Sequence, residues 1–475
     1  MRTRIAPIIL AAMAAVCAVI AIWPEVRPSP RVGRISTPAT PVLSFRRAPE
    51  LLSQSVADAR LAQSLDQLTA GAGLGADQSC LSVLDADGRT VYAKNSGNAL
   101  IPASNMKLLT ASAALDRLGA DFRYTTELRS AGAPGDDGAV AGDLWLLGSG
   151  DPLLGTGDFG AVAGYQRRPR LTTLLEGLAD NAVAAGLRRV DGRIVGDESR
   201  YDTQRYVPTW SPTYIRDAEI GPMSALSVNG GFINWQPPIV AAPDPAGNAA
   251  SVLTGLLRAR GVTIGADGAS GPVGSTSIPL VSLESPPMVE IVGVMLRESD
   301  NLVAELLVKE LGARFGSGGT TAAGIEVIKH TLDALGPTGA AFAAVDGSGL
   351  DRSDKLSCDL LQATLSKGGD QGPMASKLAV AGRDGTLARR FVGSPAAGRV
   401  RAKTGSLRGV VSLSGWATAA DGRSVQFSLL ANELPRDSIG TGLEDGIVNE
   451  LVSYPRAPDP ADLAPHPAVP APAPG

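Results

Sequence analysis

Ser104-Asn105-Met106-Lys107 sets a hydroxyl and an amine three residues apart. On a helix that spacing puts both on one face. A serine hydroxyl is a poor nucleophile until a base takes its proton. A lysine buried beside other cations has a depressed pKa and can be that base. Ser104 is the only serine with a lysine three residues later, and it falls at the start of a helix-like run. In the first turn its backbone N–H is also available to an oxyanion. Histidine chemistry has little material here, because the chain holds 2 His. His330 sits in a helix-like run and His466 in a Pro-rich tail. With Cys17, Cys80 and Cys358 scattered, the sequence argues against a His-based metal site, and no cofactor is expected.

Two further short segments complete a constellation. Ser-x-Asn occurs three times, as Ser96-Gly97-Asn98, Ser227-Val228-Asn229 and Ser299-Asp300-Asn301. The first is too close to Ser104 and the second lies in a different kind of region, so Ser299 is chosen. Its hydroxyl can relay a proton to a leaving amine while Asn301 holds a substrate amide. These residue types also favour a helix N-cap, and the two roles are compatible. Lys403-Thr404-Gly405 follows the strand-like Arg399–Arg401 and precedes a hairpin. Lys403 brings a positive charge, Thr404 can bond a carboxylate, and Gly405 leaves room for a peptide along the strand edge. The order SxxK, SxN, KTG is that of serine acyl-transfer enzymes that use no histidine.

The rest of the chain must position these residues. Leu81–Leu84 and Thr90–Ala93 flank an Asp-Gly turn, as do Gly409–Ala417 and Ser424–Ala431, so both read as hairpins. Ser104–Leu118 reads as a helix stopped by Gly119, and Pro287–Leu311 has helical spacing. Residues 125–285 are Gly-rich, with short strand-like runs such as Asp143–Leu147 and Arg193–Val195. Strands at both ends with helices between them predict one sheet built from distant parts of the chain, and the middle becomes an insertion.

The net charge of −4 and the lack of a basic block argue against nucleic acid as a partner. Met1-Arg2-Thr3-Arg4 followed by uncharged Ile5–Trp23 reads as an export signal or a membrane anchor. The lack of a small-x-small site favours the anchor. Residues 24–49 read as a linker and 455–475 as a disordered Pro/Ala tail. Cys80 and Cys358 could pair, and their spacing does not decide it.

Together with Gly148-Ser149-Gly150-Asp151-Pro152, Ser224-Ala225-Leu226-Ser227-Val228-Asn229 and Asp346-Gly347-Ser348-Gly349-Leu350-Asp351-Arg352, these motifs carry a resemblance. From about Leu61 to Tyr454 the chain resembles the D-alanyl-D-alanine carboxypeptidase/endopeptidase family, the low-molecular-mass class C penicillin-binding proteins. The resemblance implies an α/β fold, a serine β-lactamase/transpeptidase-like sandwich around an antiparallel sheet, formed by residues 50–124 and 286–454. It implies an inserted β-rich region at 125–285, shorter than in the longest members. It further implies an acyl-enzyme on Ser104, Lys107 as base, and Ser299, Asn301 and Lys403 completing the site. Substrate contacts would come from Thr404, Gly405 and Ser406, with the N–H groups of Ser104 and Ser406 as the oxyanion hole. Arg352 would clamp a side-chain carboxylate and Asp197 would face an ammonium. Arg408 departs from the neutral residue frequent at its position. The implied partners are peptidoglycan stem peptides, with β-lactams as covalent inhibitors, at an exported location in the cell envelope. The rival readings are a β-lactamase or esterase on the same scaffold, and an inactive cell-wall-binding protein.

Overall fold

The computed structural model describes residues 44–162, 169–334 and 342–465. The expected signal or anchor at 5–23 therefore lies outside the described residues. Among the described residues no helix is long and apolar enough to cross a membrane. Two compact units divide the chain. One comprises Met1–Ser53 and Pro458–Gly475. Its described parts include a 3-10 turn at Phe45–Arg47 and a short helix at Pro460–Leu463. The other unit, Gln54–Ala457, carries the site.

A six-stranded antiparallel sheet forms the frame. Its spatial order is Ala379–Val380, Val400–Leu407, Val410–Thr418, Ser424–Ala431, Ser79–Leu84 and Thr90–Lys94. Both hairpins read from Asp-Gly turns are present. The first strand after the N-terminal helix pairs with the last strand of the chain, Ser82 opposite Ser428, so distant segments do build one sheet.

Strand alternation sends successive side chains to opposite faces. Leu81, Val83, Val411, Leu413, Phe427 and Leu429 face one core with Leu65, Leu443 and Ile447 from two terminal helices, Pro49–Gly71 and Asp437–Ser453. Cys80, Trp416 and Leu430 face the other core, which is made of internal helices.

At the centre of that second core runs the helix Met106–Arg117, every residue of which from Met106 to Ala114 is buried. It is surrounded by Met288–Glu298, Asn301–Phe315, Thr321–Asp333 and Cys358–Gly368. A helix buried all round belongs to a core and cannot shift without disturbing its neighbours. Cys80 on the sheet is joined by a disulfide to Cys358 at the start of the last of these helices, with the Cα atoms 6.0 Å apart.

The helical run from Pro287 is two helices. Ser299 breaks it with a left-handed backbone, φ 61, and Asp300 caps the second helix through Oδ1, which accepts the Val303 N–H at 2.8 Å. Short polar side chains that bond their own backbone compete with helix continuation, which is why the break falls here.

Residues Thr125–Glu284 supply a second, five-stranded sheet in the order Ala269–Ser270, Ile194–Asp197, Leu144–Leu147, Thr125–Ser130 and Ile278–Glu284. Two helices cover it, Leu175–Ala184 and Pro245–Arg258, burying Leu175, Leu178, Leu253 and Leu257.

Candidate active site

Ser104 sits in a 3-10 turn, Ala103–Asn105, that leads directly into the buried helix. Ala103 before it has φ 47, a conformation costing an L-residue about 1–2 kcal/mol. The turn is pinned from the sheet. Ser412 Oγ donates to the Pro102 carbonyl at 2.7 Å, and Asn105 Nδ2 donates to Ser412 Oγ and, at 3.3 Å, to the Lys403 carbonyl.

Lys107 is fully buried. Its Nζ donates to Ser104 Oγ at 2.9 Å, to Asn301 Oδ1 at 2.8 Å and to the Ser348 carbonyl at 2.6 Å. Burial pulls its pKa down to about 8, against the opposing pull of Asp346, Glu305, Asp300 and Glu219. An amine at that value, in contact with the hydroxyl, can accept its proton near neutrality.

Lys403 is equally buried and donates to Ser299 Oγ at 2.8 Å and to the Thr404 carbonyl at 2.7 Å. Burial, and then the charge of Lys107, push its pKa well below the usual lysine range. The two remote motif segments thus meet beside Ser104: Asn301 accepts from Lys107, and Lys403 donates to Ser299.

The strand Val400–Leu407 runs through Lys403-Thr404-Gly405, so the motif lies within a strand and not ahead of one. Pairing with the short strand Ala379–Val380 stops at Ala402, and beyond it Lys403–Leu407 pair with Val410–Ser414 on the opposite side. Thr404 Oγ1 donates to Thr386 Oγ1 at 2.8 Å. The structure gives a further reason for glycine at 405. A Cβ there would lie 2.1 Å from Ser412 Oγ and 2.9 Å from the Ser104 nitrogen, so its missing side chain admits the nucleophile's own turn.

A cleft of about 1920 Å³ opens over the site. Ser104, Ser299, Asn301, Thr404, Gly405, Ser406, Arg352 and Arg408 line it. Arg352 Nη1 donates to the Arg408 carbonyl at 3.0 Å, which sets both arginines at the mouth beside the exposed Ser406. Asp197 is not brought there. It ends a strand of the second sheet, is buried, and spends its carboxylate on the N–H groups of Ser199 at 2.7 Å and Val273 at 2.6 Å. The Glu219 carbonyl, which accepts from Asn301 Nδ2 at 2.8 Å, and Arg170, which pairs with Asp300 at 2.6 Å, hold the Ser299 turn from the second-sheet region. Thr386, Ser412, Glu219 and Arg170 carry no motif, and nothing in the sequence marks them. Ser348 lies in a segment the resemblance singled out, but its carbonyl as a ligand of Lys107 is visible only in three dimensions.

The family model of D-Ala-D-Ala carboxypeptidase 3 (S13) matches residues 61–238 and 233–449. The D-alanyl-D-alanine carboxypeptidase of Actinomadura sp. (strain R39) is 29% identical over 485 residues, covering 84% of this chain and 86% of that one. A carboxypeptidase of Mycobacterium tuberculosis is 31% identical over 348 residues, covering 70% and 71%. Among solved structures, penicillin binding protein 4 of Haemophilus influenzae has the same fold, with a TM-score of 0.67 at 21% identity over 82% of this chain and 99% of that one. A nucleophilic serine with a lysine partner, in the fold of a penicillin-binding protein and matched over most of its length, has one assignment: the chain belongs to the D-Ala-D-Ala carboxypeptidase 3 (S13) family.

Proposed function

We propose that this chain is a serine-type D-alanyl-D-alanine carboxypeptidase acting on peptidoglycan stem peptides, with Ser104 as nucleophile and Lys107 as base. The observation that carries the reading is the Lys107 amine, desolvated and within 2.9 Å of Ser104 Oγ. Ser104 Oγ attacks the carbonyl carbon between two D-alanines and its proton passes to Lys107 Nζ. The oxyanion is received by the N–H groups of Ser104 and Ser406. Collapse breaks the C–N bond, and the proton that Lys107 took passes by way of the Ser299 hydroxyl, which Lys403 holds by hydrogen bond, to the leaving amine, so that Lys107 is neutral again. Water then attacks the ester and gives its proton to Lys107, which returns it to Ser104 Oγ as the acyl group leaves.

A substrate C-terminal carboxylate would lie by Thr404 and Lys403, and its charge would favour the ammonium form of Lys403. The outer edge of the strand beyond Ala402, at residues 403–407, suits an extended peptide added as a strand. Gly405 and Ser406 present backbone there, and Arg352 would receive a side-chain carboxylate. β-Lactams, amides of similar shape, would acylate Ser104. The cleft is about twice the volume that ordinary small-ligand sites reach, which favours cross-linked peptides as additional substrates. In this reading residues 50–124 and 286–454 form the catalytic domain and 125–285 an insertion that supports the Ser299 turn. The buried Cys80–Cys358 disulfide suits an oxidising, extracytoplasmic location, with residues 5–23 as export signal or anchor.

Mass spectrometry of defined muropeptides tests this reading. Loss of one alanine from a pentapeptide is expected, and cleavage of cross-linked dimers would add endopeptidase activity. Intact pentapeptide and dimer after incubation with folded protein would refute it.

A further inference from the structure

Glu305 lies one helical turn beyond Asn301 on the helix Asn301–Phe315, and it is fully buried. Its Oε1 accepts two backbone N–H groups, from Gly347 at 3.0 Å and from Ser348 at 2.8 Å. Its Oε2 has no hydrogen-bond partner among the described residues. The carbonyl of that same Ser348 takes the Lys107 amine at 2.6 Å, the shortest of the three contacts that hold it. One short stretch of main chain therefore has a carboxyl group at one end and the catalytic amine at the other.

The stretch has no slack. A Cβ on Gly347 would lie 2.2 Å from Val308 Cγ2, and one on Gly349 would lie 1.8 Å from the Ala103 carbonyl oxygen. The segment is wedged between the helix that carries Glu305 and the turn that carries Ser104. Thr110 Oγ1 donates to the Gly347 carbonyl at 2.8 Å, from the nucleophile's own helix. Asp346 receives the N–H groups of Ser348 at 3.1 Å, Gly349 at 2.7 Å and Asp351 at 2.8 Å.

For the fold alone, a carboxyl buried with one oxygen unpartnered is a net cost. Burial, and then the nearby Asp346, push its pKa upward. Its other oxygen serves as the acceptor for the two N–H groups.

We propose that Glu305 is a positioning residue for acylation: it fixes the Ser348 carbonyl against Lys107 Nζ and so keeps the amine aimed at Ser104 Oγ. It acts through Ser348 and touches no reacting atom. The inference rests on the reading of Lys107 as base.

Stopped-flow acylation of the full chain by a fluorescent penicillin separates the pre-covalent Kd from the first-order acylation constant. Glu305→Gln keeps an acceptor oxygen in place and should acylate within about threefold of the parent. Glu305→Met removes the acceptor at similar volume and should slow acylation about tenfold or more with Kd unchanged. Parent-like acylation by Glu305→Met overturns the proposal. So does a Glu305→Gln variant as slow as Glu305→Met, or a rise in Kd that accounts for the loss. If Glu305→Met does not fold, Thr110→Val loosens the same stretch from its other side. Slowed acylation with unchanged Kd supports the proposal there, and a parent rate overturns it. Lys107→Ala is run in parallel. Normal acylation by that variant would sink the reading of Lys107 itself, whereas its inactivity beside a normal Glu305→Met would sink only the role of Glu305.

Discussion

Gly405 and Ser104 stand back to back: a methyl group on Gly405 would come within 2.9 Å of the Ser104 nitrogen. The strand proposed to receive the peptide thus also forms the wall behind Ser104. Room on that side is fixed by the sheet, because Ser412 Oγ lies where the methyl would go.

Gly405→Ala should therefore push the Ser104 turn out of register with Lys107. The expected result is a loss of about tenfold or more in penicillin acylation, because small displacements of a nucleophile are costly. Thermal unfolding should still show a folded protein. Acylation kinetics check this, and a parent-like rate would mean that the turn yields without consequence.

The pH dependence has a defined sign. Lys107 must be neutral to take the proton, and its pKa is lowered to about 8. Acylation should rise with pH from 6 to 9 with a midpoint near 8, and at pH 7 about a tenth of the molecules should carry the free amine. A pH-rate profile with a β-lactam that does not titrate in this range reads it. A rate independent of pH across that window would contradict the assignment.

Arg352 is exposed at the cleft mouth and far less constrained than the buried lysines. Arg352→Ala should raise KM about tenfold for stem peptides whose third residue carries a free carboxylate, and should leave penicillin acylation within about twofold. Steady-state kinetics on peptides with and without that carboxylate decide it. An equal effect on both would remove Arg352 as the clamp.

The Cys80–Cys358 bond ties the sheet to the helix Cys358–Gly368 across 278 residues of sequence. The double variant Cys80→Ala, Cys358→Ala should lose about 2–4 kcal/mol of stability. A melting temperature unchanged by the double substitution would show that the bond is dispensable.

What could be read from the sequence follows the range of the interactions. The hairpins announced themselves through Asp421-Gly422 and its counterpart at Asp87-Gly88, because turn chemistry is local. Ser104 and Lys107 were legible because one helical turn fixes their relation. The cap expected at Ser299-Asp300-Asn301 is made by Asp300, and Asn301 reaches Lys107.

Asp197 shows where such reading fails. A strand-end aspartate looks the same whether it faces a cleft or its own loop, and here two backbone amides take it. Glu305 was invisible for a related reason. Its partners lie 42 and 43 residues further along the chain, in a loop whose path no local pattern records. Thr386 and Ser412 reach the site only because the sheet places their strand and turn beside Val400–Leu407.

The central claim is that Ser104 becomes acylated because Lys107 takes its proton. Intact-protein mass spectrometry after incubation with penicillin, followed by peptide mapping, tests it most directly. One acyl adduct on the peptide containing Ser104 is expected in the parent, with none in Ser104→Ala or, on the same timescale, in Lys107→Ala, both variants melting as folded proteins. An adduct on another residue, or undiminished acylation of Ser104 when residue 107 is alanine, would contradict it.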